Sequence, residues 1–450
     1  MQRSNLGSEE ISVLVKRLAL PSIVAQLVNL LYNIVDKIFV GHMQENAAIS
    51  LAGLGVSAPL ILLISAFSAC VSGGGGPLSA IAMGKDNHEE AERILGASCF
   101  LLTVFSIFIT TFALIFRLPL LKLFGATEGI LPYAEAYSSV YILGTIFVMI
   151  SIGLNAFITA QGQPRVAMIS LVLGAITNVI LDPIFIFVFE MGVKGAAFAT
   201  VISQAFSASF VFNFLRSRES IIRLKKEYFR FDLPLIKKIL SLGLSGFVMV
   251  GTESAVSIAF NRGLSMYGTD LHIGAMAIMN SAMQLLTMPV NGFVNGIQPI
   301  VSFNYGAKKY DRVKKTLKIM LIVGTIYTVL YCLFVYINPG AVAALFTKDM
   351  ELKRLVEKLL PIFMAGLFPF GIQMCARSFF VGTGNAKTSL LIATLRKVLL
   401  LIPLIIILAK FFSVMGVIYA EPISDIISVT VAGILFAVHV RKLGKEEKKL

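Results

Sequence analysis

LPSIVAQLVNLLYNIVDKIFVG, residues 20–41, is an apolar stretch long enough to cross a bilayer, and it carries a carboxylate, Asp36. A charged side chain within hydrocarbon costs about 2.5–3.5 kcal/mol on insertion scales, so an acid kept there faces a partner or a water-filled cavity. A second acid, Asp182, sits in a similar setting in TNVILDPIFIFVF, residues 177–189. The two carboxylates read as halves of one site.

The composition around them agrees. Of 450 residues, 57% are hydrophobic and 14% charged, with a mean hydropathy of +0.84; an average soluble protein has roughly 25% charged residues. Apolar runs of about 20 residues, the length that crosses the hydrocarbon core, recur along nearly the whole chain. This predicts an all-α polytopic membrane protein with no room for a soluble domain. The first residues, MQRSNLGSEEISVLVKRL, lack a short apolar core and a small-residue cleavage site, so no signal peptide is expected. The net charge of +14 is explained by the positive-inside rule rather than by nucleic acid. Cys70, Cys99, Cys332 and Cys375 fall within apolar spans without a CxxC spacing, and His42, His88, His272 and His439 are too scattered for metal ligation. Neither redox nor metal chemistry is indicated.

Hydropathy predicts twelve helices, near residues 18–41, 50–76, 94–116, 132–158, 166–189, 193–215, 238–262, 273–303, 316–337, 356–382, 389–409 and 414–439. With both termini assigned to the cytoplasm, 26 of the 39 Lys and Arg fall on that side and 10 on the other, the sign that the positive-inside rule requires. The one long charged connection, Arg216 to Lys238, separates six helices from six. It reads as a basic cytoplasmic linker, residues 216–237, between an N-terminal lobe, 1–215, and a C-terminal lobe with its basic tail, 238–450. A shift of 222 residues places Gly41 on Gly263, Pro77 on Pro299, Gly84 on Gly306, Phe124 on Phe346, Gly144 on Gly366 and Gly162 on Gly384. The halves are thus repeats, and an even number of spans in each gives both the same orientation. Asp36 maps onto Ile258, and the surroundings of Asp182 map onto RKVLLLIPLIIIL, which has no acid. The carboxylate pair is expected in the N-terminal lobe alone, while the other lobe carries Glu253, Arg377, Arg396 and Lys397 within its spans.

Several stretches carry a family resemblance: NIVDKIFVGH at 33–42, GPLS at 76–79 with GK at 84–85, NAFITAQGQPR at 155–165, NVILDPIFIF at 178–187 and GAAFAT at 195–200. Together, and in this order, they resemble the multidrug and toxic compound extrusion (MATE) family, in particular its bacterial and archaeal DinF-like and MepA-like branch. The resemblance implies a V-shaped molecule of two six-helix lobes around a central cavity, a multi-pass protein of a prokaryotic plasma membrane. It implies export of organic cations and amphipathic drugs in exchange for protons or sodium ions. It also implies a coupling-ion site at Asp36, Asn178, Asp182 and Thr200, with Asn155 as a further polar member. Other branches place an acid where Glu253 stands, and a second where this chain has Arg377, so a complete cation site in the C-terminal lobe is not expected.

Asn178 and Asp182 are spaced i, i+4 and share a helix face. Two carboxylates brought together away from water cannot both ionise cheaply, so the pair should hold a proton near neutral pH. Alternatively, two carboxylates with an amide and a hydroxyl oxygen form a hard shell suited to a sodium ion. The competing structural reading has Asp36 pairing with Lys37 at the membrane edge and Asp182 merely preceding a proline kink. Glu253 offers a substrate site, a proton acceptor or one half of a structural pair. Arg377 and Arg396 read first as internal counter-ions. Met279 and Met283 lie on a helix that the resemblance places at the cavity, where flexible thioethers would suit varied substrates. No cofactor is called for, and one ion site per chain needs no partner subunit. Two rivals remain: a lipid-linked-sugar flippase, which would line its cavity with several bases, and a membrane-embedded transferase, for which no catalytic constellation is visible.

Overall fold

A chain in hydrocarbon must satisfy its own backbone polar groups, which leaves helices as the way for apolar runs of this kind to span it. The computed structural model describes residues 5–41, 43, 47–347 and 349–447. The Lys37 side chain and His42 lie outside the described residues. The first half comprises α1 (Ile11–Gly41), α2 (Ala47–Gly84), α3 (His88–Ile115), α4 (Arg117–Leu123), α5 (Leu131–Leu143), α6 (Thr145–Ala160), α7 (Pro164–Pro183) and α8 (Gly192–Arg216). After the linker come α9 (Leu233–Tyr267), α10 (Asp270–Gly306), α11 (Tyr310–Ile337), α12 (Pro339–Phe346), α13 (Met350–Met364), α14 (Phe370–Gly382), α15 (Ala386–Thr394) and α16 (Ile402–Glu447).

Among the described residues, nine helical stretches are long and apolar enough to cross a membrane, and two more spans are bent pairs, α5 with α6 at 57° and α13 with α14 at 40°. Gly144 and Pro369 sit at those bends. One of the nine, Ala386–Leu443, breaks at Ser413, whose φ of 51° is not helical. Counted as two legs, it brings the passes to the twelve expected. The repeat is equally visible: α3 and α11 begin and end 222 residues apart, and α2 and α10 end on the related Gly84 and Gly306.

The two packed cores do not divide at the linker. Leu6, Leu14, Leu18 and Ala19, from the start of the chain, are buried in the core of the second half. Reciprocally, Leu235, Ile236 and Ile239 of α9 are buried in the core of the first. Each half therefore lends the opening turns of its first helix to the other.

Glycine makes the exchange possible. A Cβ on Gly74 would collide with the Ile239 carbonyl, one on Gly243 with the Cys70 carbonyl, and one on Gly296 with the Leu18 carbonyl at 2.7 Å. At the shared end of α2 and α10, Gly84 abuts the carbonyl of Phe303 while Gly306 abuts that of Ile81, a self-reciprocal contact of the kind that marks a two-fold axis. Lipid tails supply no hydrophobic drive between helices, so close approach of backbones at small residues does the joining.

Candidate ion site and central cavity

Asn178 and Asp182 occupy one face near the end of α7, both with no solvent exposure. Asn178 Nδ2 donates to Asp182 Oδ1 at 3.2 Å. Pro183 follows directly; it has no N–H for the helical ladder, and the chain continues as a π-helical turn, Ile184–Val188. Such turns are frequent at functional sites. Asp36, buried on α1, lies within electrostatic reach of Asp182. Thr200 of α8 is buried too, and the hydroxyls of Tyr32 on α1 and Tyr137 on α5 converge on it. Tyr141, stacked on Tyr137 with ring centroids 5.9 Å apart, completes the wall facing Asp36. Four helices thus meet around two acids.

Two oxygens of this pocket, Asp182 Oδ2 and Asn178 Oδ1, are buried without a hydrogen-bond partner among the described residues. An orphaned carboxylate oxygen beside an amide oxygen suits a bound proton or a hard monovalent cation. Asn155 is placed differently. Its Nδ2 donates to the Ala167 carbonyl at 3.1 Å and to Ser170 Oγ at 2.6 Å, tying α6 to α7 while the residue borders the central cavity. No described contact joins it to the carboxylates. The three tyrosines carry no signal in the sequence, since an aromatic in an apolar span looks like any other core residue.

The central cavity, about 580 Å³, lies between the halves, bordered by α1, α2, α6, α7 and α8 on one side and α9, α10 and α14 on the other. Its lining is rich in amides and hydroxyls, among them Gln26, Asn291, Asn295 and Gln298. Two charged side chains reach it among the described residues, Glu253 and Arg377. Met279 and Met283 do not: Met279 is fully buried in the core of the second half and Met283 packs against that core. The cavity uses the later turns of α10, from Asn291 on, whereas these methionines sit on earlier turns that face the core. Met168 and Met249 are the methionines at its wall.

Glu253 is tied to the second half. Lys397 Nζ donates to its carboxylate and, at 2.9 Å, to the Met249 carbonyl. The neighbouring Arg396 donates from Nε to Asp425 Oδ1 at 2.5 Å and from Nη2 to Glu421 Oε1 at 3.0 Å. Both bases lie on a second π-helical turn, Leu395–Leu401. The expectation of a second half without an acid pair is therefore corrected. Glu421 and Asp425 of YAEPISDIIS form one, spaced i, i+4 on the last span rather than on the span equivalent to that of Asp182. The repeat holds even here. Arg396 and Asp425 are the 222-residue counterparts of Gly174 and Ser203, which also meet, with a Cβ on Gly174 lying 3.5 Å from the Ser203 carbonyl.

The MatE family model matches residues 21–184 and again 247–407, one match in each half. The chain belongs to the MATE family. Among its relatives, the multidrug export protein MepA of Staphylococcus haemolyticus is 24% identical over 409 residues, covering 90% of this chain and 89% of that one. MepA of Staphylococcus aureus strain MRSA252 gives the same identity and coverage. A MATE crystal structure in the bent conformation superposes with a TM-score of 0.91 at 21% identity, over 99% of this chain and 100% of that one. The outward-facing conformation of a multidrug resistance MATE transporter of the MOP superfamily gives 0.90 at 21%, over 98% and 99%. This MATE protein is a membrane-embedded transporter and not an enzyme.

Proposed function

We propose that this MATE protein is an antiporter in which a proton or a sodium ion, bound between Asp36 and Asp182, drives amphipathic drugs, organic cations among them, out of the central cavity. The observation that carries the reading is the setting of Asp182. It is a fully buried acid whose electrostatic partner is another acid, with one carboxylate oxygen left without a hydrogen-bond partner among the described residues. Asn178 and Thr200 supply the amide and hydroxyl oxygens of the shell. Asp36 stands on α1, the helix whose opening turns are packed into the other half, so an ion that draws Asp36 toward α7 pulls on both lobes. Coupling requires that the ion bind one arrangement of the lobes more tightly than the other. In this reading the basic linker and both termini face the cytoplasm of a prokaryotic cell, and a single chain suffices.

The second half argues against the lipid-linked-sugar flippase. Arg396 and Lys397 are engaged by Asp425, Glu421 and Glu253, which leaves Arg377 as the cavity's one uncommitted base among the described residues, too few for a pyrophosphate.

The test is efflux from proteoliposomes under a proton gradient and a sodium gradient imposed separately, comparing wild type with Asp36→Asn and Asp182→Asn. Efflux should follow one gradient and lose its dependence on that gradient in either variant, because an ion that no longer favours one arrangement shifts nothing. Gradient-driven efflux that survives both substitutions would remove the site from the mechanism.

A further inference from the structure

The cavity holds two charges of opposite sign, and they are not equivalent. Glu253 is about half exposed, with its carboxylate held by Lys397, so toward a ligand it presents an ion pair. Arg377 projects from the turn of α14 that borders the cavity and makes no hydrogen bond or ion pair with any described residue. Its neighbours in sequence, Ala376 and Ser378, are buried, which fixes the backbone from which it reaches. A guanidinium carries five donors in a planar fork and is never deprotonated, a shape matched to carboxylates and phosphates. Gln26, Asn291, Asn295 and Gln298 line the same space, and their side chains have no hydrogen-bond partners among the described residues, so uncommitted amide donors share the cavity with the fork. A basic residue kept within membrane spans pairs or serves a water-filled pathway. Arg396 and Lys397 do the first.

We infer that Arg377 is the substrate-recognition residue of the central cavity and selects amphiphiles that carry a carboxylate, as anions or as zwitterions. This rests on the export reading above and narrows it. At about 580 Å³ the cavity is of the size that takes a drug-like molecule. The amide-rich wall can hold its neutral part, and the Glu253–Lys397 pair leaves an amine of a zwitterion a carboxylate to approach.

The experiment measures binding without transport, so that it stands apart from the coupling question. Purified protein, which has no tryptophan to interfere, is titrated with three dansyl probes that share one ring: dansylglycine, its neutral amide dansylglycinamide, and the cation dansylcadaverine. Wild type should bind dansylglycine at least 10-fold tighter than the amide. Arg377→Ala should abolish that preference while leaving the amide's affinity within 2-fold, which also shows that the variant is folded; Arg377→Lys should restore part of it. Equal binding of acid and amide by wild type, or tighter binding of dansylcadaverine than of dansylglycine, would overturn the proposal. So would dansylglycine binding that Arg377→Ala leaves intact. Repeating the titration in nanodiscs with and without phosphatidylglycerol separates a carboxylate ligand from a lipid phosphate. Loss of dansylglycine binding with the anionic lipid alone would assign Arg377 to lipid instead. If the acid binds as expected but no gradient drives its efflux, recognition stands and the antiport reading falls.

Discussion

The two halves bury carboxylates in related places and treat them in opposite ways. In the second half, Glu421 and Asp425 share the one guanidinium of Arg396, with Asp425 Oδ2 left without a hydrogen-bond partner among the described residues, and Lys397 reaches across to Glu253. In the first, the 222-residue counterpart of Arg396 is Gly174 and that of Asp425 is Ser203, so the same helix contact carries no charge at all. The acid of that half, Asp182, instead faces Asp36 and Tyr32, with Tyr137 and Tyr141 on the Asp36 side of the pocket. One scaffold thus carries an ion network on one side and, on the other, the acid pair proposed above to exchange an ion. A buried charge with its counter-charge in place is a structural tie; a buried acid facing another acid is a group waiting for a proton or a cation.

The contrast can be broken at its strongest point by stability measurements. Arg396→Ala would strand two buried acids, and removing one partner of a buried ion pair costs about 3–5 kcal/mol. Asp182→Asn removes a charge that lacks a described basic partner and should leave stability within about 1 kcal/mol. Unfolding of both variants in detergent, followed by heat or denaturant, tests the pair together. A stable Arg396→Ala or a collapsed Asp182→Asn would erase the distinction.

A finer test concerns the tyrosines. Tyr137→Phe deletes a hydroxyl that meets Thr200 beside the acids; a typical buried hydrogen bond contributes about 1 kcal/mol. A roughly 5-fold weakening of ion-dependent efflux, with thermal stability little changed, would place Tyr137 in the ion shell. An equal loss of stability and efflux would make it a packing residue.

The smallest effect is expected at the linker. Arg93 Nη2 donates to Asp232 Oδ2 at 2.8 Å, and this, with the backbone N–H of Leu235, holds the Asp232 carboxyl below the usual carboxylate range. The pair therefore stabilises the fold above the ordinary aspartate pKa and loses its effect as pH falls through the lowered one. Being near the surface, it is worth at most about 1 kcal/mol. Arg93→Ala should lower stability slightly at neutral pH and match wild type in acid; a difference that persists at low pH would point to lost packing instead.

Most of the fold was legible because it is written in hydropathy and in a repeat of glycines and prolines, both of which survive without knowledge of contacts. Asp36, Asn178, Asp182 and Thr200 stood out as polar groups in short motifs. Glu421 and Asp425 carried the same signal, two acids at i, i+4 in an apolar span, and the bases at 396 and 397 called for counter-ions. The repeat places the counterpart of Asp182 on a span without an acid, whereas the buried acids of the second half lie on the last span. Met279 and Met283 show the opposite limit. Composition gives a helix its methionines but does not say which turns face a cavity and which a core.

The exchange of opening turns between the halves has a consequence for biogenesis. Residues 6–19 are made well before the core that receives them, which is built from α9 to α16. At a synthesis rate of about 5–20 residues per second, α1 waits roughly 15–60 s for its neighbours to leave the ribosome. During that interval its first turns must be held by lipid, insertase or chaperone. Assembly of the first half is therefore finished by the last, and a nascent chain stalled after the linker would present an unclaimed helix surface to the cell's membrane quality control.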